Sequence, residues 1–262
     1  MAETNTSVYK NVYELYDKIV PSDDSYHKTH RKRLGRTISV LLDEQPTEGT
    51  LLEVGTGAVV PLILKELTPK LKVHVTQFDL DKTEKGKANL TLGEYSRTCP
   101  TYRVNIEKTP LPVEDETFDY VLCCEVLEHM EQDPMFMLSE LNRVLKPGGT
   151  IILTTPNVVS SRGISAMLNN REPYFYMQYR NPGSTDRHNY EYSLATVSQV
   201  MKAAGFKGRG WTEDTFAEPM SKGVLQLRAL GYELPHVGDN IFSVATKAGP
   251  VVDRYPNVIY VD

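Results

Sequence analysis

The sequence predicts an α/β fold: a mostly parallel sheet with helices on both faces. Three observations predict it. Thr50 to Pro61 (TLLEVGTGAVVP) reads as strand, tight turn and helix start. Val73 to Asp79 (VHVTQFD) is a second strand pattern that ends in an acid. Beyond them, strand-like apolar runs and helix-period segments follow the order β-α-β-α-β-β-α-β, the rhythm of parallel crossovers.

With 262 residues and 40% hydrophobic content, the chain can bury a full core. The simplest partition is a single domain: residues 1–45 as an N-terminal helical lid, 46–157 as a ligand-binding core, 158–192 as a cap, and 193–262 completing the sheet and adding a tail. No long apolar run or signal-like start appears, so a soluble, cytoplasmic protein without membrane contact is expected. A net charge of −5 and a pI near 5.8 give no general attraction to nucleic acid, which is not expected as a partner. The densest basic run, Lys28 to Arg33 (KTHRKR), reads as a solvated helix face. Cys99, Cys123 and Cys124 read as reduced thiols, two of them adjacent inside one strand pattern.

Val8, Val12, Leu15, Tyr16 and Ile19 recur at helical spacing, and Pro21 stops that helix. Ser22 or Asp23 is placed to cap a second helix, with Leu34, Ile38, Leu41 and Leu42 facing the core. These two helices are expected to form the lid. His27, His30 and Arg31 are within reach of a ligand carboxylate, although a solvated polar face is the plainer reading. After the turn, Leu62, Ile63, Leu64 and Leu67 mark the first core helix. A polar helix is expected from about Asp81 to Glu94, then a short strand from Tyr102 to Asn105 and another from Phe118 to Cys124. Asp133-Pro134 is a helix start, with the aspartate as N-cap; Lys146-Pro147-Gly148-Gly149 ends that helix, and Ile151 to Thr154 is the fifth strand. Ser193 caps a further helix, Lys207 to Thr212 is the sixth strand, a short helix falls between Glu213 and Leu230, and Ile241 to Thr246 is the last strand.

Ligands of such sheets bind at the carboxyl ends of the strands, where Glu53, Asp79, Asn105, Glu125 and Asn157 all fall. Gly55 and Gly57 allow backbone torsions and a close ligand approach that a Cβ would obstruct. Asp79 can accept hydrogen bonds from both hydroxyls of a ribose, each worth ~1.5–3 kcal/mol with a charged acceptor. Glu53, just before the first glycine, suits an amino group, and Val60 replaces the third glycine of a dinucleotide-binding turn. The pattern favours a ligand with an amine and a ribose over one with bridging phosphates.

These residues, with the loop TPLPVEDETFDYV, the run CCEVLEHMEQDP, the helix end LNRVLKPGGTIILTTPN and the later VMKAAGF, resemble a class I S-adenosylmethionine-dependent methyltransferase, similar to the ubiquinone-biosynthesis group. The likeness covers roughly residues 50 to 206. It implies a Rossmann-like, seven-stranded sheet whose last strand runs antiparallel, and S-adenosyl-L-methionine as cofactor. By the same resemblance Glu53, Gly55, Thr56 and Gly57 line the methionine part, Asp79 and Leu80 the ribose, Asn105 and Ile106 the adenine, and Glu125 closes the site.

Methyl transfer is an in-line displacement, and a hydroxyl acceptor must also lose its proton to a base or through a metal. If helix follows the strand directly, Glu125, Glu128 and His129 share one face at i, i+3 and i+4. With His188 from the cap they form a set suited to Mg²⁺ or another divalent ion. The Glu-x-x-Glu-His run is similar to that of metal-assisted O-methyltransferases, although many related enzymes carry it without metal. In the metal-free alternative Glu125 borders the cofactor and His129 or His188 is the base. Tyr174, Phe175, Tyr176, Tyr179, Tyr190 and Tyr192, with Arg162, Arg171, Arg180 and Arg187, mark the cap as an acceptor pocket or as a tyrosine-rich cap packed on itself.

The expected activity is O-methylation of a small-molecule or sugar hydroxyl. An N-methyltransferase of a small amine, a nicotinamide-dependent oxidoreductase and a non-catalytic module that binds the same cofactor are the rivals.

Overall fold

The computed structural model describes residues 6–173, 187–216 and 220–261. Among them, eight strands form one sheet: β1 (Gly49–Val54), β2 (Leu71–Gln77), β3 (Glu84–Leu92), β4 (Tyr95–Arg103), β5 (Phe118–Cys124), β6 (Leu145–Pro156), β7 (Phe206–Glu213) and β8 (Asn240–Lys247). Their order is β3-β4-β2-β1-β5-β6-β8-β7. Parallel pairing joins β4, β2, β1, β5 and β6. β8 is antiparallel to both β6 and β7, as the resemblance implied for the last strand.

The helices are α1 (Thr6–Ile19), α2 (Ser25–Thr29), α3 (Arg31–Asp43), α4 (Val59–Leu67), α5 (Pro134–Val144), α6 (Ser161–Leu168), α7 (Leu194–Ala203) and α8 (Lys222–Ala229). Because successive strand side chains point to opposite faces, neighbouring residues feed different cores. Leu52, Val121 and Ile151 pack with Leu138 and Leu141 of α5 and Val197 and Val200 of α7. Leu51, Leu122 and Ile152 join Ile63 of α4, Ile38 and Leu41 of α3, and Val12 and Tyr16 of α1. The N-terminal helices thus help cover one face of the sheet.

The eighth strand is the main departure from the expected architecture. The segment from Asp81 to Glu94 is no helix: β3 folds back on β4 through Gly93-Glu94, with Gly93 at φ +57°. The strand expected at Tyr102 to Asn105 is the end of this longer β4. Near the N-terminus the cap is Asp24, whose carboxylate accepts from the His27 N–H, not Ser22 or Asp23; the lid has three helices because α2 ends before His30. Asp133 and Ser193 cap α5 and α7 as expected, accepting from the N–H of Phe136 and Thr196. The tail packs against the start of α5, where Arg254 and Tyr260 both bond Asp133.

Register aligns the strand ends that build the site. Val54 pairs with Cys123, Gln77 with Arg103, and Cys124 with Thr154. Gly55, Asp79, Asn105 and Glu125 therefore emerge along one edge of the sheet.

Candidate functional site

The turn after β1 is fixed by its own chemistry. Gly55 sits at φ +70° and donates its N–H to the Thr76 hydroxyl at 2.8 Å, tying β1 to β2. A Cβ on Gly55 would also meet Val126 at 3.4 Å. Three cavities converge on this glycine. One of about 290 Å³ is bordered by Phe78, Leu80, Asn105, Ile106, Glu125 and His129. A second, about 450 Å³, is bordered by Thr56, Thr76, Phe78, Asp79 and Arg103. The third, about 200 Å³, lies between the lid residues Tyr26, His27 and Arg33 and the Glu53 to Gly57 segment.

Every residue assigned from sequence to the cofactor therefore borders this branched crevice. Asp79 Oδ1 accepts from the N–H groups of Asp81 and Lys82 at 3.0 and 3.1 Å, which orients the carboxylate. Phe78 and Leu80 are 53% and 63% exposed, so the first cavity has apolar walls suited to a flat ring. Asn105 is buried and its side-chain oxygen accepts from the Glu107 N–H.

Glu53 is buried, and its Oε2 is without a hydrogen-bond partner. Burial pushes its carboxyl up to about 7, partly opposed by a hydrogen bond from Thr56. An unpartnered buried acceptor costs free energy that a ligand ammonium would recover.

Glu125 does not share a helical face with Glu128 and His129. It sits at φ +58°, and only a short 3-10 turn, Leu127–His129, follows. Its Oε2 accepts from Arg33 of α3 at 2.6 Å, while Oε1 accepts from Thr154 at 2.8 Å and Asn240 at 2.9 Å. The left-handed backbone takes Glu125 out of any helical grouping, and its carboxylate meets the lid through Arg33.

Glu128, His129 and His188 do come together, each offering a ligand atom within 4.8 Å of the others. Glu128 is fully buried; Oε2 accepts from Thr155 at 2.9 Å, and Oε1 is without a hydrogen-bond partner. Burial, reinforced by Glu125, holds its carboxyl well above the usual range. His129 Nδ1 lies 2.9 Å from the Arg187 carbonyl oxygen, and His188 Nδ1 lies 2.9 Å from Glu191 Oε1. Both partners accept, so in each neutral ring Nδ1 carries the hydrogen and Nε2 the lone pair.

The sequence reading passed over Arg33 and Asn240, which hold Glu125, and Glu191, which holds His188. The residues proposed to reach a ligand carboxylate fare unevenly. Arg31 is held by Asp17 at 2.5 and 2.6 Å, while His27 borders the third cavity between Asp24 and the Gly57 carbonyl. In the cap, Tyr190 and Tyr192 contact each other edge to face with ring centroids 4.7 Å apart, and Arg162 and Arg187 pair with Glu191 and Glu131. Tyr174, Phe175, Tyr176, Tyr179 and Arg180 lie outside the described residues.

A strand-turn-helix with a buried acid before its glycine, an acid after the next strand, and a crevice across the strand ends is the layout of a Rossmann-like, ligand-binding α/β fold. The chain belongs to the methyltransferase-domain family, whose model matches residues 26–209. It is 30% identical over 147 residues to demethylmenaquinone methyltransferase of Staphylococcus aureus, a match covering 55% of this chain and 57% of that protein. The chain thus spans just over half the length of such relatives. In fold it resembles a methyltransferase of Haloferax volcanii solved with the Trm112 methyltransferase activator, at TM-score 0.53 and 14% identity, covering 92% of this chain and 98% of that one. It also resembles a Thermotoga maritima enzyme described as a possible histamine N-methyltransferase, at TM-score 0.52 and 18% identity, covering 92% and 99%. No helix among the described residues is long and apolar enough to cross a membrane.

Proposed function

We propose that the protein O-methylates a hydroxyl on a small molecule, with the cofactor lying across the branched crevice and the acceptor entering beside His129 and His188. S-adenosyl-L-methionine supplies an electrophilic methyl group on a sulfonium. Asp79 binds the ribose hydroxyls, Phe78, Leu80, Asn105 and Ile106 border the adenine, and Glu53 receives the ammonium. Glu125 closes the crevice, fixed by Arg33, Thr154 and Asn240 so that it neither swings nor accepts the acceptor's proton. Most of the rate enhancement would come from holding the reacting atoms in line.

The observation that carries the O-methyl assignment is the pair of imidazoles beside the crevice, each with Nδ1 2.9 Å from an acceptor oxygen, and with His129 Nε2 turned to Glu128 Oε1 at 3.8 Å. A hydroxyl needs a proton acceptor, and His129, which borders the first cavity, is placed to be one, with His188 beside it at 5.2 Å between ring centroids. The same three side chains would hold a divalent cation, which would acidify a bound hydroxyl. Glu125 is left out of that set because its carboxylate is engaged by Arg33, Thr154 and Asn240.

The test is transfer of labelled methyl to a panel of phenols, sugars and amines with wild type and His129→Ala. Label on hydroxyl oxygen, lost in the variant, supports the assignment; label on amine nitrogen would replace it.

A further inference from the structure

We propose that Asp133 is a positioning residue for the adenosine end of the cofactor site, and that Arg254 and Tyr260 of the tail set it from outside. The inference rests on the crevice being the cofactor site, and it gives the tail a role that no motif within it suggests. Neither tail residue borders the cavities that meet at Gly55, so their influence runs through the loops between.

Two loops make up most of the first cavity's wall, residues 105–108 after β4 and 125–131 after β5. One buried side chain stitches them together. Glu107 Oε1 accepts from the Asp133 N–H at 2.6 Å and from the Gln132 N–H, while the Glu107 N–H donates to Asn105 Oδ1 at 3.1 Å. Asp133 stands where the second loop enters α5. Its place therefore decides where Glu107, and with it Asn105 and Ile106, can sit.

The tail fixes Asp133 from the other side. Arg254 Nη1 donates to Asp133 Oδ1 at 2.9 Å and Nη2 to Oδ2 at 2.5 Å, a planar two-point grip. The Tyr260 hydroxyl donates to Oδ1 and accepts from the Met135 N–H at 3.2 Å. Charge-assisted contacts of this kind fix direction as well as distance, which is what positioning requires. Different atoms hold the tail itself in place. The Val252 and Asp253 N–H groups donate to the Ala203 carbonyl at 2.8 and 3.0 Å, and Val258 and Ile259 pack against the core that α5 and α7 share. The polar grip on Asp133 can thus be removed with the packing left standing.

The test combines calorimetry on wild type, Arg254→Gln, Arg254→Lys and the double variant Arg254→Gln with Tyr260→Phe, using S-adenosylhomocysteine and methylthioadenosine, with hydrogen exchange on wild type alone. The double variant should lose about tenfold in affinity for both probes by the same factor, since both carry adenosine. Arg254→Lys, which keeps the charge, should fall between wild type and Arg254→Gln. A merely structural contact predicts a lower melting temperature with unchanged affinity where the variants are still folded. That result overturns the proposal, as does a loss confined to S-adenosylhomocysteine. Because coupling between sites is reciprocal, S-adenosylhomocysteine should slow exchange at the Ile259 and Tyr260 amides at least about fivefold more than at amides of α8. Saturating ligand that leaves those two amides no better protected than α8 overturns the proposal even if no variant folds. Failure of both probes to bind wild type removes the crevice assignment, and the positioning role with it.

Discussion

Arg33 of α3 and Glu125 at the end of β5 meet at 2.6 Å, 92 residues apart in sequence, and both side chains are largely shielded from water. The pair joins the N-terminal helices to the strand end on which the site depends. Removing one partner leaves the other charge buried and uncompensated. Glu125→Ala should therefore destabilise the fold by about 3–5 kcal/mol, whereas Arg33→Met with Glu125→Leu should recover most of the loss. Urea unfolding of the single and double variants measures both; equal losses in the two would contradict the explanation.

Glu53 gives the unliganded protein a pH dependence of definite sign. Its carboxyl moves from an ordinary 4.5 up to about 7 on folding because it is buried. The folded state therefore holds a proton that the unfolded state releases between those values, so stability falls as pH rises from 4.5 through 7 and then levels off. The penalty at pH 8 is on the order of 3 kcal/mol. Glu53→Gln should melt higher than wild type at pH 8, match it near pH 5, and bind S-adenosylhomocysteine poorly at both. A variant that melts lower than wild type at pH 8 would show that the carboxylate has a partner in the free protein.

Asp79 should govern cofactor affinity with little effect on folding, since the described hydrogen bonds of its carboxylate are local ones from Asp81 and Lys82. Asp79→Ala should weaken S-adenosylhomocysteine about tenfold or more, the loss of charged hydrogen bonds to the ribose. Thermal shift against ligand concentration reads this directly, and unchanged affinity would remove the ribose assignment.

The Glu128, His129 and His188 cluster makes a separable claim. After EDTA treatment and dialysis, Mn²⁺ should bind wild type, and His188→Ala should weaken it at least about tenfold, since one of three protein ligands is gone. Absence of binding to wild type would leave the two histidines as metal-free bases.

Much of this was readable in sequence because local chemistry set it. Gly55 takes a left-handed backbone where the strand must turn, Asp133 and Ser193 cap helices through short contacts, and the acids end strands whose register aligns them. The hairpin of β3 and β4 has signals in the sequence, the alternation of Ala88, Leu90 and Leu92 and the two-residue Gly93-Glu94 connection, yet the polar composition of Asp81 to Glu94 led to a helix over that same stretch. Arg33 could not be read. In KTHRKR, Lys32 and Arg33 look alike, and only the fold brings Glu125 beside one of them. Glu125 escaped its helical grouping because its backbone turns left-handed at the strand end, which no spacing rule foresees for a glutamate.

The most direct measurement is calorimetric titration of the purified protein with S-adenosylhomocysteine. Saturable binding at one site per chain, weakened in both Glu53→Gln and Asp79→Ala, is the expected result. No heat of binding, or full affinity in both variants, would mean that the crevice at the ends of β1, β2, β4 and β5 is not where the methyl donor sits.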